Sequence, residues 1–96
     1  MRINKDEARK LNSLGHQARS IGDYANAATY FTNAAKIHGV RARRMPLCFN
    51  KVLAFQSATI NYAMAENEAM ADFYYEKYKR AHDTVIDAQV MQGAHQ

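Results

Sequence analysis

Apolar residues recur along this chain at spacings of three and four, the period of an α-helix rather than the alternation of a strand. Punctuation is sparse: glycine stands only at positions 15, 22, 39 and 93, and proline only at 46. With so few breakers, the element ends are set by caps. Asn4 followed by Glu7 has the spacing of an N-terminal capping box, which predicts a first helix from about Lys5 to Ser20. Leu11, Leu14, Ala18 and Ile21 gather on one of its faces. Gly22 and Asp23 close that helix and open a second, with Asp23 as N-cap and Gly39 as the residue past its C-terminus. Its inner face carries Tyr24, Ala27, Phe31, Ala34 and either Ile37 or His38.

Val40 to Met45 reads as a basic connector, and Pro46 as the first residue of a third helix, where its missing N–H would be unpaired in any case. From Leu47 the helical pattern continues for about 45 residues. Cys48, Val52, Phe55, Thr59 and Tyr62 form one stripe, and Phe49, Leu53, Ile60 and Met64 another. A helix that is apolar on two sides belongs in the middle of a structure. The stripe then changes to Met70, Tyr74, Tyr78, Ala81, Val85 and Ala88, and its weakest joint is Ala65 to Asn67. Two versions stay open: a break at that joint, or one rod about 65 Å long, which would need a dimer to cover it. The expected fold is all-α and a single domain over 1–96: an antiparallel helical hairpin over 4–39, then one or two long helices over 46–91.

Charge adds direction to this picture. The chain carries a formal +4, yet the basic residues crowd the half up to Cys48, while the rest is mildly acidic. An acidic partner is therefore favoured for the front half. The lone Cys48 cannot form an internal disulfide, and no apolar leader precedes the first helix, which points to a reducing, cytoplasmic setting. No window is long and apolar enough for a membrane span, so no membrane association is expected.

The segment Ala8 to Gly39 resembles one tetratricopeptide repeat, a helix–turn–helix unit of about 34 residues. Leu11 takes the large apolar position, Leu14 and Gly15 the leucine–glycine pair, and Gly22, Asp23 and Tyr24 the turn. Ala27, Phe31 and Ala34 take the small, aromatic and small positions of the second helix. Ala18 replaces the usual tyrosine, Gly39 stands in the place of the closing proline, and no glycine turn recurs near Gln56. The resemblance implies a non-enzymatic protein-binding module, an adaptor, chaperone or regulator, whose exposed hairpin face is covered by the following helices or by a second chain. It also implies that Arg9, Asn12, His16 and Arg19 line a binding surface, where guanidinium groups would grip a carboxylate or an acidic peptide. The alternative is that these four form the solvated face of the first helix.

The stretch Gln17 to Phe55 also resembles the AraC negative regulator family and the related PerC-type regulators. Gly22, Asp23, Tyr24, Ala27, Ala28 and Phe31 fit their first motif, and Asn50, Lys51 and Phe55 loosely fit the second, which lacks its usual tryptophan here. That resemblance implies a regulator of transcription acting through a transcription factor, a nucleoid protein or direct DNA contact.

Arg41, Arg43, Arg44 and Lys51 are candidates for phosphate contact, although no recognition-helix or zinc pattern accompanies them, and a solvated, solubilising loop is the favoured reading. Phe73 and Tyr75 flank the inward stripe of Tyr74 and Tyr78, so they serve either as interface anchors, consistent with a homodimer through the back half, or as part of a broad core. Glu76 and Arg80 have the spacing of a one-turn pair. His16, His38, His82 and His95 are too dispersed for a metal motif, and Cys48 suits packing better than nucleophilic chemistry. No phosphate loop, acid pair or nucleophile elbow is present, so no cofactor and no catalytic residue is expected.

Overall fold

A computed structural model describes residues 2–94 and builds them from four helices, with no strand among the described residues. They are α1 (Lys5–Ser20), α2 (Tyr24–Arg44), α3 (Phe49–Met64) and α4 (Glu68–Ala94). His95 lies outside the described residues. Each helix packs on the next, α1 on α2, α2 on α3 and α3 on α4, giving a stack of 54 × 24 × 19 Å. None of the described helices is long and apolar enough to cross a membrane.

Caps explain where the helices begin and end. Asn4 accepts a 2.8 Å hydrogen bond from the Glu7 N–H, satisfying one orphan donor of α1. At the other end Gly22 turns left-handed at φ +80°, while the Asp23 N–H donates to the Ala18 carbonyl at 2.9 Å and the Gly22 N–H to Arg19 at 3.1 Å. This is a Schellman turn, which glycine adopts without strain. The α3–α4 turn has the same hydrogen bonds: Asn67 N–H to Tyr62 at 2.9 Å and Glu66 N–H to Ala63 at 3.0 Å. There Glu66 takes the left-handed position at φ +61°. Asp23 and Asn67 then cap the following helices through the Asn26 and Met70 N–H groups. The molecule is thus two hairpins closed by one kind of turn, and the second turn contains no glycine.

Small residues set the spacing between helices. A Cβ added at Gly15 would come within 2.8 Å of two ring atoms of Phe31, a ring with 0% exposure, so α1 and α2 meet at van der Waals distance only because position 15 has no side chain. The larger core lies further along, where Val52, Phe55, Ala58 and Tyr62 of α3 meet Ala71, Tyr74 and Ala81 of α4. The Tyr74 ring stacks on Tyr62 with centroids 5.6 Å apart and lies 6.2 Å from Phe55. Its far edge reaches α2 at Gly39, so one side chain ties three helices.

That contact corrects the predicted end of the second helix. Gly39 is buried inside α2, which continues to Arg44, because the absent Cβ is what admits Tyr74. The expected connector over Val40 to Met45 is therefore the last turn and a half of a helix, capped at Met45. Pro46 precedes α3, whose N-cap position is held by Cys48 without a side-chain hydrogen bond; that residue sits at the helix end instead of on an apolar stripe. Ile21 is 80% exposed and Tyr24 68%, because they flank the tight turn and point away from the hairpin seam. The first stripe of α3 is covered. Of its second stripe, Phe49, Leu53 and Ile60 are about half exposed, since α2 and α4 occupy two sides of α3, while Met64 packs against the cluster around Phe31. Ala88 is exposed for a related reason: α4 outruns α3, leaving Ile86, Val90 and Met91 uncovered as well.

Candidate binding grooves

Antiparallel stacking places α1 and α3 on one side of the molecule and α2 and α4 on the other, which creates a groove on each side. The first runs between α1 and α3 over a floor supplied by α2. A cavity of about 420 Å³ is lined by Lys5, Arg9, Asn12 and Ser13 of α1, His38 of α2, and Ser57 and Asn61 of α3. It passes into a second of about 350 Å³ beyond the start of α1, where Arg41, Asn50 and Gln56 join. No carboxylate lines either one.

Of the four α1 residues singled out in the sequence, the structure brings two together here. Arg9 is exposed at the groove edge, and Asn12 Nδ2 donates a 2.7 Å hydrogen bond to Asn61 Oδ1. Asn61 is only 4% exposed and spends its own N–H on the Ser57 carbonyl at 2.8 Å, so Asn12 is a strut between α1 and α3. Arg19 lies elsewhere, against Met64, Ala65 and Glu66, because the α3–α4 turn closes that end of the groove. His16 packs edge-on against Phe31 at 5.1 Å. Asn61 was missed in the sequence; its signal is a lone amide on a helix face otherwise built from Ala54, Ala58 and Tyr62.

His38 is the titratable group of this floor. Burial chiefly, then the charges of Arg41 and Lys5, lower its pKa from 6.5 to about 4. The Arg41 Nη1 lies 3.2 Å from His38 Nδ1, and since arginine can only donate, the ring accepts there and is neutral. An unfolded chain takes up this proton near 6.5 and the folded one only near 4, so the stability that the neutral ring contributes is present above 6.5 and lost as pH falls toward 4. The melting temperature should drop by several degrees between about pH 7 and about pH 5. In His38→Gln that part of the drop should vanish; an identical drop in the variant would show the titration lies elsewhere.

Compared with protein-family models, with curated proteins and with solved structures, the chain matches none.

The second groove, between α2 and α4 over α3, is an open cavity of about 410 Å³. Arg43, Lys51, Lys77 and Arg80 line it with Leu47 and Phe55, again without a carboxylate. Lys51 Nζ also donates to the Met45 carbonyl at 3.0 Å, and Lys77 Nζ lies 4.8 Å over the Phe73 ring. The basic run of the sequence is therefore divided. Arg43 and Lys51 enter this groove, Arg41 enters the first, and exposed Arg44 lines neither, because neighbouring positions on a helix project in different directions. Glu76 pairs with Lys79 at 3.1 Å rather than with Arg80, and Arg80 is in no ion pair among the described residues. The contribution of Lys77 and Arg80 went unread; their one-turn spacing is the signal that carries it.

Phe73 and Tyr75 are 50% and 46% exposed on either flank of the buried Tyr74. Phe73 meets Tyr74 edge-on at 5.2 Å, and Tyr75 lies 6.1 Å from Tyr78 beneath the Lys79 ammonium. Among the described residues no group of three His, Cys, Asp or Glu side chains is placed to hold a metal ion.

Proposed function

We propose that the chain is a non-enzymatic interaction module, a tetratricopeptide-like adaptor, chaperone or regulator of the cytoplasm, that holds an acidic peptide segment of a protein partner in the α1–α3 groove. The observation that carries this reading is the lining itself. Lys5, Arg9 and Arg41 supply positive charge with no carboxylate among them, while Ser13, Asn50, Gln56 and Ser57 supply amides and hydroxyls. Cations attract the acidic side chains, and amides and hydroxyls can both donate to and accept from a peptide backbone, so the same surface selects charge and reads an extended chain. Neutral His38 accepts from Arg41 at Nδ1, so its proton is on Nε2, which can donate to a ligand. Two copies would join through the end of α4, where Ile86, Val90 and Met91 are 36%, 65% and 64% exposed.

A fluorescein-labelled acidic peptide titrated with the protein tests the groove. Arg9→Glu with Arg41→Glu should weaken binding by more than tenfold, since two charge-assisted contacts become repulsions. Arg19→Glu, outside the groove, should change it little. Equal loss in both would mean bulk charge rather than the groove, and no loss in either would discard the assignment. Light scattering on the same samples should give the mass of two chains; the mass of one removes the dimer.

A further inference from the structure

We infer that the α2–α4 groove is a second binding site, for the phosphate backbone of single-stranded nucleic acid. Four cations from three helices converge on it: Arg43 from α2, Lys51 from α3, and Lys77 and Arg80 from α4. None of the four forms an ion pair among the described residues, so their charge is not neutralised within the chain. Like charges gathered without a counter-charge repel one another, and an anion that enters the groove relieves that repulsion while releasing its own counterions.

What lies between the cations decides which anion. The α1–α3 groove alternates cations with side-chain amides; this one has no amide in its lining, and its one hydroxyl, Thr84 Oγ1, is already committed to the Arg80 carbonyl at 2.8 Å. It offers charge but few directional partners for a peptide backbone. Apolar surface for flat groups lies in it and beside it: Leu47 is 54% exposed in the groove, and Phe73, outside the lining, is 50% exposed one helical turn from Lys77, whose ammonium already lies over its ring. Cations that track a backbone beside an exposed aromatic that stacks on a base are the two elements of sequence-tolerant single-strand binding. The surface is concave and open, with no helix projecting from it to enter the groove of a duplex. A single strand suits it better than a duplex, because only unpaired bases can reach and stack on Phe73. The site is independent of the peptide-binding reading, because no residue lines both grooves.

Anisotropy of a labelled single strand of about 12 nucleotides, RNA and DNA in parallel, reads the proposal. Binding should appear at about 50 mM salt, and its logarithm should fall with the logarithm of salt at a slope of about −2 to −3, the value for three or four phosphates on a single strand. Lys77→Glu with Arg80→Glu should weaken it by more than tenfold, and Phe73→Ala by about tenfold, with the helical circular-dichroism spectrum kept, since none of the three side chains is buried in the core. Arg9→Glu with Arg41→Glu should leave it unchanged. Absence of binding at low salt overturns the proposal. So does an affinity for duplex of the same length equal to that for the strand, displacement of the strand by polyglutamate as readily as by unlabelled strand, or indifference to the Lys77 and Arg80 reversal.

Discussion

Replacing Phe31 by alanine is expected to remove about 3–5 kcal/mol of folding stability, the loss found when a buried aromatic leaves a cavity. The ring is at 0% exposure, lies against the Gly15 backbone of α1, meets His16 edge-on, and forms with Ala18 and Ala27 a cluster against which Tyr30, Met64 and Ala65 pack. Met64 and Ala65 belong to the end of the third helix and its turn, so the same ring joins the first hairpin to the second. A domain of this size has only about 5–15 kcal/mol in total, and each kcal/mol moves the midpoint by about 4–8 °C, so a fall of more than about 12 °C is the expected thermal result. Gly15→Ala separates this packing from a general loss of hydrophobicity. In the parent its Cβ collides with the ring and should cost about 1–3 kcal/mol; in the Phe31→Ala background it fills vacated space and should cost little or nothing. Urea titrations of the four proteins measure the coupling. Additive losses would show that the first two helices do not meet at Gly15 and Phe31.

How much of this was legible depends on whether the cause of a feature lies near it in sequence. The ends of the first helix are local, written in Asn4 and Gly22, and both stand where their spacing puts them. The all-α class follows from a period that any long window displays. The continuation of α2 past Gly39 has a distant cause. Locally, glycine followed by basic residues reads as a helix end; the reason it is not one is Tyr74, on another helix. The α3–α4 turn is legible in place and not in kind: the helices part at Ala65 to Asn67, where the apolar stripe changes, but the left-handed residue is Glu66 instead of a glycine. The candidate surfaces divide in the same way. Charge and helical spacing single out Arg9, Arg43 and Lys51 as candidates, but which cations share a groove depends on stacking: Lys77 and Arg80 join Arg43 across α3, while Arg41, two residues from Arg43, belongs to the other side. Asn12 looked like a ligand donor and is a strut, because its partner Asn61 is brought close only by the fold.

The contact with the widest consequences is the one at Gly39, and Gly39→Val is expected to cost about 3 kcal/mol, the upper part of the range for overpacking. A Cβ there would overlap the Tyr74 hydroxyl oxygen and sit 2.8 Å from the Cζ and 3.2 Å from the Cε1 of the same ring. Tyr74 has nowhere to go: it is 4% exposed, stacked on Tyr62, and bounded by Phe55 and Phe73. Valine gains only a few tenths of a kcal/mol over glycine in helix propensity, which does not offset the collision. Alanine gains about 1 kcal/mol and adds less bulk, so Gly39→Ala should lose about 1 kcal/mol net. Removing the obstacle should remove the penalty: in a Tyr74→Ala background, already destabilised by its own cavity, the further cost of Gly39→Val should fall to near zero. The contact also fixes how far α4 stands from α2, and with it the distance from Arg43 to Lys77 and Arg80. A Gly39→Ala protein that remains folded should therefore lose affinity for a single strand while keeping its affinity for an acidic peptide, because the α1–α3 groove does not include Tyr74 or any part of α4. Equal melting temperatures for the parent and Gly39→Val would mean that Tyr74 does not reach α2, and the α2–α4 groove would then lose the contact that shapes it.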